Sequence, residues 1–93
     1  MSTQSTDPVV ESLRGEITAL DVRILSTINA RIRAVDELRR YKEEHGLSFY
    51  DPEREAWLAD YLKRVNSGPL SDEGVEQLLA LVLDVVKKEV QRG

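Results

Sequence analysis

Apolar residues recur along the first half of the chain at Leu13, Ile17, Leu20, Ile24, Ile28, Ile32, Val35 and Leu38. Every step is three or four residues, the spacing that lines one face of an α-helix. Asp7–Pro8 opens the stretch as an N-cap acceptor followed by proline at the first helical position. Gly46 closes it as a C-cap, with Leu47 placed for the accompanying apolar contact. The pattern predicts one helix from about residue 8 to residue 45, roughly 57 Å long at 1.5 Å per residue. A second cap-and-proline pair, Asp51–Pro52, precedes the stripe Leu58, Tyr61, Leu62 and Val65, and Asn66-Ser67-Gly68-Pro69 ends it. Ser71 caps a third helix, with Asp72 and Glu73 favourable to its dipole and Leu70 and Val75 at the positions of a hydrophobic staple. Val75, Leu78, Leu79, Val82, Val85, Val86 and Val90 then form an apolar face wide enough to be buried on two sides. The order is long helix, short helix, medium helix. No strand, internal repeat or low-complexity block interrupts it.

The first helix is too long for the rest of the chain to cover. Periodic helices much beyond about 25 residues mark bundles or coiled coils, so a homodimer in which two long helices pack together is expected. Ninety-three residues allow one domain, assigned to residues 7–93, with residues 1–6 a short polar tail. With 32% charged and 5% aromatic residues the composition suits an all-α protein. The chain lacks cysteine and has one histidine, which argues against a thiol nucleophile, a serine triad and a multi-histidine metal site, and no metal is expected. The longest apolar run, Leu78–Leu83, is too short to span a membrane. With no basic-then-apolar leader, the expected location is cytoplasmic. A net charge of −4 disfavours nucleic acid as partner. The run Arg39-Arg40-Tyr41-Lys42 does not reverse this, because its charges spread around the helix among Asp36, Glu37, Glu43 and Glu44.

Placing the charges on a helical wheel changes the picture. Arg31 and Lys42 fall within about 30° of the centre of the first apolar stripe, about 16 Å apart along the axis. In the second helix Arg54 lies about 40° from Leu58 and 20° from Val65, inside that stripe. A neutral core would take leucine at such places, since buried cations are costly unless paired. One reading is that each stem packs on the stripe while its head reaches solvent or a nearby carboxylate. The other is that three inward cations await a small anion, for which a dicarboxylate is a sensible candidate. Arg33 and Arg40 point away from the stripe. His45 sits at a helix C-terminus, where partial positive charge is favourable. Trp57 and the tyrosines read as packing or dimer-surface residues.

These residues carry a resemblance. Leu13-Arg14-x-x-Ile17, Ala19-Leu20-Asp21, Arg31, Lys42 and Tyr50-Asp51-Pro52-Glu53-Arg54-Glu55 together resemble the all-helical (AroQ-type) chorismate mutases. The likeness runs from about Leu13 to Val90 and implies an intertwined homodimer of three-helix chains. Carried over by position, Arg31 and Arg54 resemble the arginines that grip the two carboxylates of chorismate. Arg14 resembles an arginine donated by the other subunit. Lys42 resembles the lysine that reaches the ether oxygen of the breaking bond, so Lys42 and Arg54 are the catalytic candidates. Glu55 resembles the carboxylate that bonds the ring hydroxyl, with Asp51 its helper. The wheel singles out Arg31, Lys42 and Arg54 independently; Arg14, Asp51 and Glu55 rest on the resemblance.

The pattern breaks in the third helix. Family members commonly carry a small hydroxyl residue and, four residues on, a glutamine that also bonds the ether oxygen. Val86 and Val90 stand at those substrate-binding positions, and Gln91 is one residue, about 100°, late. The implied reaction is the Claisen rearrangement of chorismate to prephenate in phenylalanine and tyrosine biosynthesis, with no cofactor. The valines leave room for an aminodeoxychorismate mutase or an isochorismate pyruvate lyase. A non-catalytic module that binds chorismate and regulates a synthase is the alternative of another class. Tyr50–Glu55 and the Ser67–Leu70 turn look most like the mutases associated with 3-deoxyheptulosonate-phosphate synthase, a partner that would here bind in trans.

Overall fold

The computed structural model describes residues 7–92, among which three α-helices follow in chain order: α1 (Pro8–Glu44), α2 (Pro52–Val65) and α3 (Asp72–Arg92). The fold is all-α, as the periodicity predicts; the tail expected over residues 1–6 lies outside the described residues. No helix among those described is long and apolar enough to cross a membrane. The chain divides into two units, the described residues up to Ala30 and those from Arg31 onward.

The first unit is the N-terminal part of α1. Asp7 caps it, its Oδ1 accepting from the amides of Val9 at 2.8 Å and Val10 at 3.2 Å. No side chain of α1 is buried. Its apolar stripe is open to solvent, with Leu13 53%, Ile17 56% and Leu20 47% exposed.

The second unit holds the remainder of α1 together with α2 and α3. At the end of α1 the amide of Leu47 donates to Lys42 O at 2.8 Å and that of Gly46 to Glu43 O at 3.4 Å. Those two bonds are a Schellman motif, and Gly46 takes its left-handed position with φ 66°. His45 stacks on Tyr41 and its Nδ1–H donates to Tyr41 O at 2.8 Å, which caps one of the last carbonyls. A methyl at Gly46 would meet nothing within 4 Å, so its cost is backbone strain alone. Gly46→Ala is therefore expected to destabilise by about 1 kcal/mol. Thermal unfolding should show a fall of roughly 4–8 °C.

Helix α2 packs against α3. The buried apolar core of the described residues lies along α3, in Val75, Leu79, Val86 and Val90. Between α2 and α3, Asn66 organises the turn: its Nδ2 donates to Leu70 O at 2.6 Å and its Oδ1 accepts from the Gly68 amide at 3.2 Å. Ser71 Oγ caps α3 by accepting from the Gly74 amide at 3.0 Å. Lys63 Nζ donates to Glu76 Oε2, tying the two helices across the turn. The Glu76 hydrogen bond holds the Lys63 ammonium charged above its ordinary value of 10.5. Because that pKa is raised on folding, the contribution is fully present below the unfolded value and is lost only as pH rises through the folded one.

Candidate functional site

In the second unit a cavity of about 580 Å³ lies among all three of its helical segments. Arg31 of α1 and Arg54 of α2 both line it, with apolar side chains including Leu58, Leu62, Leu79 and Val82. Among the described residues no Asp or Glu shares the lining, so the two cations have no acidic side chain there to neutralise them. Its size falls in the range of small-molecule sites. Apolar walls lower the local dielectric and strengthen any ion pair formed inside.

Burial and pairing separate the cations further. Four are half-buried among the described residues: Arg31, Arg39, Lys42 and Lys63. Arg39 pairs with Asp36 at 3.1 Å and Glu43 at 3.5 Å, and Lys63 with Glu76. Arg31 and Lys42 form no ion pair among the described residues. Partial burial of a charge without a counter-charge is unfavourable, and an anion bound there would relieve it. For Arg31 and Lys42, pairing of the head with a nearby carboxylate is not seen among the described residues.

Helix α2 presents the next group from its first turn. Asp51 is the N-cap, its Oδ1 accepting from the Arg54 amide at 3.0 Å. Pro52 follows at N1, where its missing N–H is no loss. The cap fixes where α2 begins and so where Arg54 and Glu55 leave it. The Glu55 amide donates to Asp51 O at 3.3 Å, and its side chain is exposed. Asp51 thus has a structural duty that one of its oxygens already discharges.

The remaining predicted positions lie elsewhere. Lys42, Asp51 and Glu55 are outside the lining of the cavity, as are Val86 and Val90. Both valines are buried in the α3 core, Val86 at 2% exposure and Val90 at 4%, while Gln91 one residue later is exposed. Arg14 belongs to the first unit, where it stands 4.0 Å from Glu11 on an exposed face. Arg31 and Arg54 are therefore the pair that a single chain brings to one cavity.

One neighbour of Arg54 escapes a reading based on charge. The Arg54 guanidinium carbon lies over the Trp57 ring, 4.3 Å from its centroid. Trp57 stacks in turn on Tyr61, with centroids 4.9 Å apart and planes at 11°. The signal was present as an arginine and an aromatic at i and i+3 of a helix, which places them on one face.

Comparisons with known proteins point to one family. The family model for chorismate mutase type II matches residues 13–91. A bifunctional chorismate mutase/prephenate dehydratase of Stutzerimonas stutzeri is 35% identical over 79 residues, covering 80% of this chain. The chain spans 22% of the length of that relative. A 4-amino-4-deoxychorismate mutase of Streptomyces venezuelae is 32% identical over 84 residues, 89% of this chain and 78% of that one. Among solved structures, a chorismate mutase of Thermus thermophilus superposes with a TM-score of 0.80 at 34% identity. That match covers 83% of this chain and 96% of the other. With the family's fold, its extent along the sequence and two unneutralised arginines at one cavity, the chain belongs to the chorismate mutase type II family, a family of isomerases.

Proposed function

We propose that this protein is a chorismate mutase, converting chorismate to prephenate. The observation that carries the reading is the pair Arg31 and Arg54, which line one carboxylate-free cavity. Chorismate offers two carboxylates, and arginine forks are matched to that group. The rearrangement is unimolecular: the ether C–O bond breaks as a new C–C bond forms, with no nucleophile and no net proton transfer. The protein's task is to hold the compact diaxial conformer and to place cations where negative charge develops. Arg31 and Arg54 grip the carboxylates, Lys42 reaches the ether oxygen, and Glu55, with Asp51 beside it, orients the ring hydroxyl.

The reading includes an intertwined homodimer. The uncovered stripe of Leu13, Ile17 and Leu20 supports it, because a second copy is the economical way to bury such a face. In the dimer Arg14 enters the partner's site. The reading also places the protein in the cytoplasm. Association in trans with a 3-deoxyheptulosonate-phosphate synthase belongs to it as well.

Incubating the purified chain with chorismate and identifying the product by chromatography and mass tests the activity. Prephenate is expected. With valine at positions 86 and 90 one donor to the ether oxygen is missing, and loss of such a donor costs about 3–4 kcal/mol of barrier, so turnover should be slow. A rate raised by added synthase would support the association. The Streptomyces relative favours a second reading, 4-amino-4-deoxychorismate as substrate. The same assay with both substrates separates the two, and consumption of neither overturns both.

A further inference from the structure

We infer that Trp57 is the positioning residue for Arg54, holding its guanidinium ready for a substrate carboxylate. The inference rests on the mutase reading and adds to it a residue that makes no charged contact with substrate. A guanidinium has two ways to be held. A neighbouring carboxylate holds it by occupying its N–H fork, as Asp36 and Glu43 do for Arg39. An aromatic face holds it through the ring quadrupole and leaves the fork for another partner. Arg54 is held in the second way, at 4.3 Å from the Trp57 centroid, and its guanidinium forms no ion pair among the described residues.

The ring is itself held. Trp57 stands three residues after Arg54 and four before Tyr61, on which it stacks. Arg64 lies 5.9 Å over the Tyr61 ring, three residues further on. Arg54, Trp57, Tyr61 and Arg64 thus run up one face of α2 at steps of three, four and three. Trp57 remains 44% exposed, so burying the indole is not its main service to the fold. A lone exposed arginine samples many rotamers and must give them up on binding; one already resting on a fixed ring gives up fewer.

Arg54 grips a carboxylate that is present in chorismate and in the transition state alike. Loosening it therefore weakens binding of both, which raises KM and leaves kcat nearly unchanged. Cation–π contacts at exposed sites correspond to a change of about 2- to 5-fold. Steady-state kinetics of the full chain with chorismate are expected to show KM raised by about that factor in Trp57→Leu, with kcat within about 2-fold of the parent. Trp57→Phe, which keeps a ring face, should recover most of the loss. In an Arg54→Gln background, which has no cation to rest on the ring face, Trp57→Leu should have little further effect.

An unchanged KM in Trp57→Leu overturns the inference and leaves the mutase reading standing. So does a loss that Phe fails to repair, or one that persists in full beside Arg54→Gln, since each marks a packing role. A parent chain that consumes no chorismate overturns the mutase reading and the inference with it.

Discussion

Arg31→Ala is expected to lower kcat/KM for chorismate by about 100-fold or more while the protein keeps its helical content and melting temperature. The two halves of that expectation have separate causes. Arg31 is half-buried at the cavity and forms no ion pair among the described residues, so removing it leaves no carboxylate stranded. Breaking a buried pair from one side costs several kcal/mol, but no such pair is formed here. The fold is expected to be indifferent, or to gain slightly from the loss of an uncompensated charge. Turnover loses a carboxylate ligand that charged hydrogen bonding makes strong. Lys42→Ala should behave alike with a different kinetic signature. A cation that meets charge developing on the ether oxygen acts in the transition state, so kcat falls and KM stays close to its parent value. Arg39→Ala is the control: its guanidinium is committed to Asp36 and Glu43, and its loss should touch stability before rate. Circular dichroism, thermal melts and chorismate kinetics on the three variants check the whole set. Parent-like rates in both Arg31→Ala and Lys42→Ala would remove these residues from the site.

The helices were legible because their signals are local. Asp7–Pro8, Asp51–Pro52, Ser71 and Gly46 each act through hydrogen bonds spanning a few residues, and the structure places each cap at the position the sequence implies. Of the three cations that fall inside an apolar stripe, the structure half-buries Arg31 and Lys42 and leaves Arg54 exposed. A charge inside an apolar stripe contradicts the pattern around it, and local rules fail most often where function overrides packing. Arg31 and Arg54 come together at one cavity because two helix registers, each readable alone, happen to agree. Val86 and Val90 carry no such signal. As valines on a wide apolar face they are indistinguishable from core, and the structure buries both in the core. Trp57 was hidden by its own plausibility: an aromatic near an apolar stripe suggests packing, and its partnership with Arg54 emerges only from the distance between them. The role proposed for Arg14 lies furthest from sequence logic, since a contribution to another subunit would leave no trace in the periodicity of its own helix.

That role predicts the largest recovery of activity. Arg14→Ala alone should reduce turnover strongly if the partner's site depends on it, and it should not unfold the chain. Its one ion pair among the described residues is a 4.0 Å approach to Glu11 on an exposed face, and exposed pairs of that kind contribute little. Mixing Arg14→Ala chains with Arg31→Ala chains then tests where Arg14 acts. In a heterodimer one site takes Arg31 from the Arg14→Ala chain and Arg14 from the Arg31→Ala chain, so it is complete; the other site lacks both. Random exchange of equal amounts makes about half the dimers heterodimers with one complete site of two, which restores about a quarter of parental activity. Two variants that are nearly inactive apart should therefore become active together, after co-refolding or long enough mixing for subunits to exchange. If Arg14 served its own chain's site, every heterodimer would hold two damaged sites and mixing would restore nothing. Activity measured before and after exchange, beside a light-scattering mass for the dimer, separates the two cases. Recovery would also account for the solvent-facing stripe of Leu13, Ile17 and Leu20. The same stretch of α1 that needs a partner for burial would be the stretch that carries an arginine to that partner's substrate.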